Sequence, residues 1–414
     1  LRKGSRANVI KGISCENRSV VHSSLRSFLK KPKDQQDQYE VASANEFFKL
    51  ENFLEMESVK KFDTLVQVGI GGSHLGPEAL AISLEPFAKP GKKLHFISNV
   101  DPQEAHHVLS KVNLETTVFV CVSKSGSTLE TKSNEQVVRK YLEDKGFDSQ
   151  KHMVAITEKG SPLDNPQNYL EVFYIWDYIG GRFSATSMVG LVALGFYLGI
   201  EAVKCFLEGA LKMDEVALNP NKSNLPLLGA LFRLWNGNFL GASSVAVIAY
   251  SFLLRRFIAH LQQLEMESNG KQISRLGKKV DYSTGLSVWG EPGANSQHSF
   301  FQWLHQGTQV TPVEFIGVLN PQKNSCFETS AKMQKELLCS LFGQAMAFAK
   351  GQSNENPNKV FIGNRPSTTL LTKDLNPESV GSLLSYYENV TVFEGFLWNI
   401  NSFDQEGVQL GKKL

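Results

Sequence analysis

The sequence predicts an α/β protein with mostly parallel sheets, because short apolar runs alternate with helical patterns in two regions of the chain. In the first region the candidate strands are TLVQVGI, KLHFISN, TVFVCV, HMVAIT and EVFYIW, with helical segments between several of them. The second region contains ASSVAVIAYS and VTPVEFIGVL. Strands that alternate with helices form parallel sheets through right-handed crossovers. The length of 414 residues fits two or three domains.

The composition is that of an ordinary soluble globular protein, with 42% hydrophobic and 20% charged residues. The net charge is +2, and no basic block indicates a nucleic-acid partner. Five scattered cysteines without a CxxC pattern argue against a disulfide framework and favour a reducing compartment. The first residues lack an apolar run, so no signal peptide is expected. The interrupted apolar run from Phe183 to Ile200 predicts a buried helix rather than a membrane span.

The loop SKSGSTLET, directly after TVFVCV, is the strongest candidate for anion binding. Gly126 gives room for a close backbone approach, and the amides at the start of the next helix point at the loop. The loop offers four hydroxyls and one cation, from Ser123, Ser125, Ser127, Thr128 and Lys124. These groups suit a phosphate monoester, although a Ser-rich helix cap explains the same loop equally well. A Walker loop is absent, and GIGGSHLG lacks the dinucleotide pattern because His74 stands where glycine is required.

The segment LQQLEMESNGK is a candidate for acid–base chemistry at the end of a helix. Apolar residues recur at steps of three and four before it, at Leu253, Phe257, Leu261 and Leu264. Asn269 and Gly270 predict the helix stop, with Gly270 in the left-handed conformation. Glu267 then falls in the last turn, with Gln263 one turn earlier on the same face. A carboxylate near the negative end of the helix dipole suits a base, although a solvated Glu at a helix end is the commoner case.

Three further groups are candidates on weaker grounds. Arg182, in GGRFSATSMVG, can bind a phosphate or stabilise an oxyanion, or lie on the surface beside a tight turn. In SVWGEPGANSQHSFFQWLHQG we expect a short helix with His298 in its first turn and His305 two turns on, and either ring can be structural. Neither has further ligands at a metal-binding spacing, so no metal site is predicted. Lys412 has no special role on residue grounds alone.

A series of motifs, in order along nearly the whole chain, resembles the phosphoglucose isomerase family. They are VGIGGSHLGPEAL, SKSGSTLET, GGRFSATS, MESNGK, WGEPGANSQHSF with HQGT, and NSFDQEGVQLGK. The chain departs from the family pattern at Gln409, where Glu is usual, and at Asn399, where Asp is commoner. Neither position is among the residues that the resemblance assigns to chemistry.

The resemblance implies an aldose–ketose isomerase that interconverts glucose 6-phosphate and fructose 6-phosphate through a cis-enediol, without a cofactor or metal. Glu267 would move the proton between C2 and C1, Arg182 would stabilise the enediolate, and His298 with Lys412 would open the sugar ring. Other residues would contact the substrate: Gln263, Gln405, Gly72, Ser73, Ser123, Lys124, Ser125 and Thr128. A dual phosphoglucose and phosphomannose isomerase is an alternative. A phosphosugar-binding regulator is another: it would need the phosphate loop but not the four catalytic candidates together, and all four are present.

The resemblance also implies two sugar-isomerase (SIS) domains, each a three-layer α/β/α sandwich. We expect residues 45–205 to form the first domain with the phosphate loop, and residues 206–414 to form the second with the catalytic Glu, His and Lys. Residues 1–44 should form helices that pack on the second, larger domain. Relatives are homodimers in which the counterpart of His298 enters the partner's site. We expect a cytoplasmic enzyme that binds a sugar phosphate but neither nucleic acid nor membrane.

Overall fold

The computed structural model describes residues 20–220, 223–322 and 328–413. The chain divides between Lys212 and Met213 into two compact units, each built around its own parallel sheet. This architecture confirms the predicted α/β class. We call them the first unit (described residues 20–212) and the second unit (from Met213 onward).

The first unit contains a five-stranded sheet in the order β2-β1-β3-β4-β5, in which each neighbouring pair is parallel. The strands are β1 Thr64–Val68, β2 Lys93–Ile97, β3 Thr117–Val122, β4 Met153–Thr157 and β5 Glu171–Tyr174. Every residue of β1, β3 and β4 is buried. A parallel sheet covered on both faces requires such continuous apolar runs, and these runs made the strands predictable.

Helices cover both faces of this sheet. They are α1 Ser24–Ser27, α2 Gln38–Glu55, α3 Glu57–Lys60, α4 Leu75–Ser83, α5 Pro102–Leu109, α6 Leu129–Asp144, α7 Met188–Leu198 and α8 Ile200–Leu218. On one face, Val66 and Phe119 pack with Val138 and Leu142 of α6. On the other face, α7 contacts β1 and β2, and α2 contacts β5.

The helices from Ser24 to Glu55 lie in the first unit, whereas the sequence prediction placed residues 1–44 on the second domain. Phe47, Leu50 and Phe53 are the buried apolar residues of α2, and the Phe53 ring meets Phe173 of β5 edge-on at 5.3 Å. A matching apolar surface on β5 therefore draws this helix to the first sheet. The part of that prediction concerning residues 1–19 falls outside the described residues.

The segment Gly181–Leu198 is long and apolar enough to cross a membrane, but 89% of it is buried inside the protein. Its helical part, α7, is buried along nearly its whole length. The prediction of a buried helix in this run is confirmed.

The second unit contains a four-stranded sheet in the order β7-β6-β8-β9, again with parallel neighbours. The strands are β6 Ser244–Tyr250, β7 Ser287–Trp289, β8 Val313–Val318 and β9 Ser367–Thr372. The helices that follow α8 are α9 Leu225–Leu234, α10 Phe257–Gln262, α11 Gly293–Gln297, α12 Phe301–Gln306, α13 Ser330–Lys350, α14 Pro377–Leu397 and α15 Gln409–Lys413. Neither β9 nor α14 was predicted from the sequence.

Candidate functional site

The predicted phosphate loop, residues 123–131, follows β3 and leads into the 16-residue helix α6. We keep the name phosphate loop for these residues. The Ser123 hydroxyl donates to Thr128 Oγ1 at 3.1 Å. The Ser127 amide and hydroxyl both reach Ser125 Oγ, at 3.2 and 3.0 Å. Thr128 is the N-cap of α6, yet its side chain makes no capping hydrogen bond within the described chain. The loop therefore brings the predicted hydroxyls together in front of an uncapped helix N-terminus, where an anion is favoured.

Gly126 stands at a position of this loop that only glycine fits. Its φ is +63°, and a Cβ atom there would lie 2.9 Å from both Pro162 Cδ and Ser161 Oγ. Both the conformation and the close approach therefore demand glycine.

Lys124 holds the phosphate loop against the chain that leads to Arg182. Its ammonium donates to the carbonyl oxygens of Asp177 at 2.7 Å and Ile179 at 2.9 Å. A lysine predicted as a phosphate contact thus also connects two loops at the carboxyl ends of the strands.

A second pair of loops meets through glycine backbone. The turn Gly71–Ser73 follows β1, and the turn Gly181–Phe183 carries Arg182. A Cβ on Gly72 would lie only 2.2 Å from the carbonyl carbon and oxygen of Gly181. The two turns therefore touch directly, which places Ser73 close to the Arg182 turn.

Arg182 is 2% exposed, and its Cζ lies 5.8 Å from the centre of the Phe183 ring. The prediction left open whether this side chain lies on the surface, and the structure buries it. A buried guanidinium needs compensating negative charge or hydrogen-bond acceptors. Its burial therefore favours a role inside the protein over a solvated one.

Gln67 was missed by sequence analysis, although it stands in an otherwise apolar strand. Its side-chain amide donates to the carbonyl of Ser73 at 2.7 Å and to that of Val189 at 3.1 Å. This side chain thus holds the Gly71–Ser73 turn against the start of α7. A polar residue inside a buried strand was the available signal, since such groups are retained only when they are hydrogen-bonded.

In the second unit, Gln263 and Glu267 are in contact. The Gln263 side-chain nitrogen donates to Glu267 Oε2 at 3.1 Å. Both side chains are half-buried. The predicted pairing on one face is confirmed, but the backbone differs from the expected regular helix. The chain forms a short 3₁₀ turn at Phe252–Leu254, then α10, and then a π-helical turn at Gln263–Glu267.

The prediction for Gly270 was wrong. Its φ is not positive, so the left-handed conformation does not explain the glycine. A Cβ at this position would instead lie 2.6 Å from the Met266 carbonyl oxygen. The helix end packs so closely on its own previous turn that only glycine fits.

Lys271, the last residue of MESNGK, connects the segment that carries Glu267 to the loop that carries Gln405. Its ammonium donates to the carbonyls of Glu267 at 2.7 Å, Ser268 at 3.0 Å and Asp404 at 2.8 Å. It also forms an ion pair with the Asp404 carboxylate at 3.4 Å. Gln405 follows at once and is half-buried. Nothing in the sequence of this motif indicated that its lysine makes these contacts.

The two histidines of the WGEPGANSQHSF region differ in environment. His298 is exposed and caps the C-terminus of α11, so its predicted place in a first turn was wrong. The expected single helix is broken into α11 and α12. His305 stacks on Phe348 at 4.1 Å and contacts Gln344 Oε1 at 2.8 Å, which indicates a structural ring. Lys412 lies in α15, and its side chain falls outside the described part.

One further group in α10 has a strongly altered acidity. His260 is 1% exposed, and neither ring nitrogen has a hydrogen-bond partner among the residues described. Burial lowers the pKa of His260 to about 4, so the ring is neutral at pH 7.

The comparisons of this chain with known proteins all indicate the same family. A family model described as phosphoglucose isomerase matches residues 3–414. The chain is 48% identical over 422 residues to a glucose-6-phosphate isomerase of Chlamydia trachomatis serovar A, covering all of this chain and 80% of the relative. It is 49% identical over 430 residues to the enzyme of that name from Desulfotalea psychrophila, covering 79% of that relative.

Solved structures give the same result for the fold. The crystal structure of a glucose-6-phosphate isomerase from Chlamydia trachomatis aligns with a TM-score of 0.94 at 48% identity, over 99% of this chain and 80% of that one. The C-terminal domain of glucosamine-fructose-6-phosphate aminotransferase from Francisella tularensis aligns with a TM-score of 0.54 at 11% identity, which is a likeness of fold alone. The predicted SIS-like architecture is confirmed.

Proposed function

The chain belongs to the phosphoglucose isomerase family, and from this premise we propose that it interconverts glucose 6-phosphate and fructose 6-phosphate. The observation that carries the proposal is the match over residues 3–414, which includes every motif quoted above. The reaction moves one proton between two neighbouring carbons and needs no change of oxidation state overall.

In this proposal Glu267 is the base. It removes the proton from C2 of the open-chain aldose, and the electron pair forms the enediolate. The hydroxyl proton then moves from O2 to O1, and the carboxyl group returns its proton to C1 to give the ketose. The Gln263 amide, 3.1 Å from one carboxylate oxygen, fixes the orientation of Glu267. Glu267 is half-buried, so its carboxylate stays accessible to a substrate. A base that takes and returns one proton is general acid–base catalysis.

Arg182 stabilises the negative charge that develops on the enediolate oxygens. Its guanidinium stays charged at every working pH, and its burial strengthens electrostatic interactions. The close contact of Gly72 with Gly181 supports this role, because it fixes the turn that carries the arginine.

The phosphate group of the substrate binds at the phosphate loop, beside Ser73. The uncapped N-terminus of α6 and the hydroxyls of Ser123, Ser125 and Thr128 supply donors. Lys124 contributes positive charge while it ties the loop to the Arg182 segment. Binding energy from this remote group orients the reacting carbons. Gln405 is a further substrate contact.

His298 and Lys412 open the sugar ring before the proton transfer. The exposure of His298 supports the proposal that it serves the site of a partner in a homodimer. The two SIS domains in this scheme are residues 45–205 and 206–414. We place the enzyme in the cytoplasm, in keeping with the unpaired thiols of Cys121, Cys205 and Cys339.

The test is conversion of fructose 6-phosphate by the wild type and by Glu267→Gln, with glucose 6-phosphate detected through a coupled dehydrogenase. We expect rapid turnover by the wild type and a loss of about a thousandfold in the variant, within the range for removal of an acid–base group. The exposed Glu208→Gln on α8 is the control and should retain wild-type activity. A wild type that binds the sugar phosphate without converting it would show a regulator instead of an enzyme.

The same variant tests the dimer. Glu267→Gln and His298→Asn chains are each inactive, but a mixed dimer would join the intact Glu267 of one chain to the intact His298 of the other. Random reassociation should restore about a quarter of the wild-type activity, since half of the dimers are mixed and each has one complete site. If mixing restores nothing although mixed dimers form, His298 acts within its own chain.

A further inference from the structure

The segment that carries Glu267 rests on a buried group of charges, which we call the Arg233 cluster: Arg233, Glu265, Glu314 and Glu394. All four side chains are buried. Arg233 binds Glu314 with two parallel hydrogen bonds, of 2.7 Å from Nε and 2.9 Å from Nη2. Its remaining nitrogen, Nη1, lies 3.5 Å from Glu265 Oε2 and 3.6 Å from Glu394 Oε2. One guanidinium therefore faces three carboxyl groups.

Three ionised carboxylates would leave this cluster with two uncompensated negative charges, which is very costly in a buried place. One of them must therefore carry a proton. Glu394 is the candidate, because neither of its oxygens accepts a hydrogen bond within the described chain. Burial, followed by the neighbouring Glu265 charge, raises the pKa of Glu394 well above its usual range. As a carboxylic acid it has a hydrogen to donate, and the neighbouring acceptor is Glu265, which shares Arg233 Nη1 with it.

The two phenols that face the cluster are neutral at pH 7. Tyr386 and Tyr387 of α14 face it, and burial raises the pKa of both phenols. The Arg233 guanidinium also lies over the Tyr387 ring, at 5.5 Å from its centre. The balance of charge is thus set by the arginine and the three carboxyl groups.

Glu265 is the hydrogen-bond acceptor at the centre of this cluster. The Asn269 side-chain nitrogen lies 3.0 and 3.2 Å from its two oxygens, and the Thr391 hydroxyl donates at 3.0 Å. Arg233 and Glu394 approach the same carboxylate. Glu265 is thus the group to which the side chains of Asn269, Thr391 and Arg233 converge.

The bond between Glu265 and Asn269 spans Glu267, since the two buried residues lie two positions before and two positions after it. Asn269 is itself fixed, because its nitrogen donates to the Thr391 carbonyl at 3.1 Å and its oxygen accepts from Ser402 at 2.7 Å. A π-helical turn is a rare conformation that tertiary contacts must sustain, and such turns occur often at functional sites. Here the side-chain bridge closes the turn beneath Glu267.

We propose that Glu265 is a positioning residue for Glu267, and that Glu394 supports it as a neutral acid that donates a hydrogen bond to Glu265. This inference rests on the proposed role of Glu267 in the isomerase reaction. It explains how a half-exposed carboxylate is held in one orientation at the end of an irregular helix. The buried charge acts on the reaction only through the backbone between Glu265 and Asn269.

The test compares two Glu→Gln changes within the cluster. In Glu394→Gln the amide can replace the acid, because its N–H donates to Glu265 and its oxygen faces Arg233. This variant should keep kcat within twofold of the wild type. In Glu265→Gln an amide nitrogen must face other donors, so the bridge to Asn269 fails. We expect kcat to fall by about tenfold or more, as for a misplaced catalytic group, with KM for fructose 6-phosphate within twofold.

Thermal unfolding separates positioning from stability. If thermal unfolding shows that Glu265→Gln is too unstable to assay, Thr391→Val replaces it. This variant removes one hydrogen-bond donor to Glu265 with little change of side-chain shape, and it should lower kcat several-fold at unchanged KM. Equal losses of kcat in the Glu265→Gln and Glu394→Gln variants would overturn the proposal. An unchanged kcat in Glu265→Gln would also overturn it, and the same holds for Thr391→Val where that variant is used instead.

Infrared spectroscopy tests the proton without reference to activity. The difference spectrum between the wild type and Glu394→Gln at pH 8 should contain the C=O stretch of a protonated carboxyl group. Its absence would show that Glu394 is ionised and would overturn its role as donor. An inactive wild type that shows this band would refute the proposed isomerase function while leaving the state of Glu394 established.

Discussion

The phosphate loop and the base segment, residues 263–271, are held in place by different kinds of interaction. In the phosphate loop, hydroxyls bond to neighbours within a few residues, and Gly126 allows a close backbone contact. In the base segment, Glu265 is bound by Arg233, 32 positions earlier, and by Thr391, 126 positions later. The hydroxyl contacts of the first arrangement are local, although Lys124 also reaches the carbonyls of Asp177 and Ile179. The second arrangement depends on buried charges that only the complete fold brings together.

This difference has an energetic consequence. A loop built from backbone and hydroxyl contacts fails gradually when one contact is lost. A buried cluster of charges fails abruptly, because removing one partner leaves the others uncompensated in a medium that solvates them poorly. We therefore expect the second unit to be the more sensitive to single changes of charge.

Arg233→Met is the change with the largest expected effect. It removes the cation but preserves much of the buried volume, so Glu314 and Glu265 lose their counter-charge. The free energy of unfolding should fall by about 3–5 kcal/mol, the usual cost of breaking a buried ion pair from one side. Urea denaturation at pH 7, followed by circular dichroism, measures the change.

Lys140→Met is the matched control in the first unit. Lys140 pairs with Asp144 at 3.0 Å on the exposed face of α6. An exposed pair of this kind contributes less than about 1 kcal/mol. A similar loss of stability in both variants would show that the cluster is no more sensitive than an ordinary surface pair.

Backbone packing in the first unit gives the next largest effect, through Gly72→Ala. The added Cβ would lie 2.2 Å from the Gly181 carbonyl, so the turns that carry Ser73 and Arg182 must separate. A displacement of about 1 Å at a catalytic group can cost about a hundredfold in activity, so we expect a loss of that order in kcat/KM. The coupled dehydrogenase assay measures it.

Gly181→Ala tests whether the contact itself is responsible. A Cβ on Gly181 would meet only Gly72 Cα, at an ordinary 3.9 Å. This variant should lose less than tenfold in kcat/KM, although it places the same methyl group in the same pair of turns. If the two variants lose the same amount of kcat/KM, the close contact of Gly72 with the Gly181 carbonyl is not the cause of the loss.

The sequence predicted those parts of the site whose chemistry is local. The strands of the first sheet, the hydroxyls around Ser123 and the pairing of Gln263 with Glu267 all follow from short patterns of residues. Long-range order was not accessible in this way. Nothing near Gln263 indicates a π-helical turn, and nothing near Lys271 indicates that its ammonium reaches Asp404.

Helix α14 shows why some regular structure was missed as well. It is buried on most of its surface, including the polar residues Ser385, Glu388, Asn389, Thr391 and Glu394. A helix that is buried on all sides has no single apolar stripe in its sequence, and its buried polar residues resemble those of a surface segment. Strand β9 is an edge strand with half-exposed residues, so it lacks the continuous apolar run of the inner strands.

The smallest effect that we predict is the pH dependence of stability that comes from His260. This residue is a buried titratable group in α10, so it adds a further buried polar group to the second unit. Its pKa in the folded protein is about 4, below the ordinary value of 6.5 for the unfolded chain. The unfolded state therefore takes up the proton first as the pH falls. The stability that comes from keeping this ring neutral is complete above pH 6.5 and is lost as the pH falls towards 4. Between pH 7 and pH 5 the wild type should lose about 2 kcal/mol through this residue.

The His260→Phe variant should lack this part of the pH dependence, because a phenyl ring fills a similar volume and does not titrate. Urea unfolding at pH 7 and pH 5 measures it as the difference between the two proteins in the stability lost. The exposed His106→Gln variant in the first unit is the control and should show the wild-type pH dependence. If His260→Phe loses as much stability as the wild type between these pH values, the ring is hydrated or paired in solution.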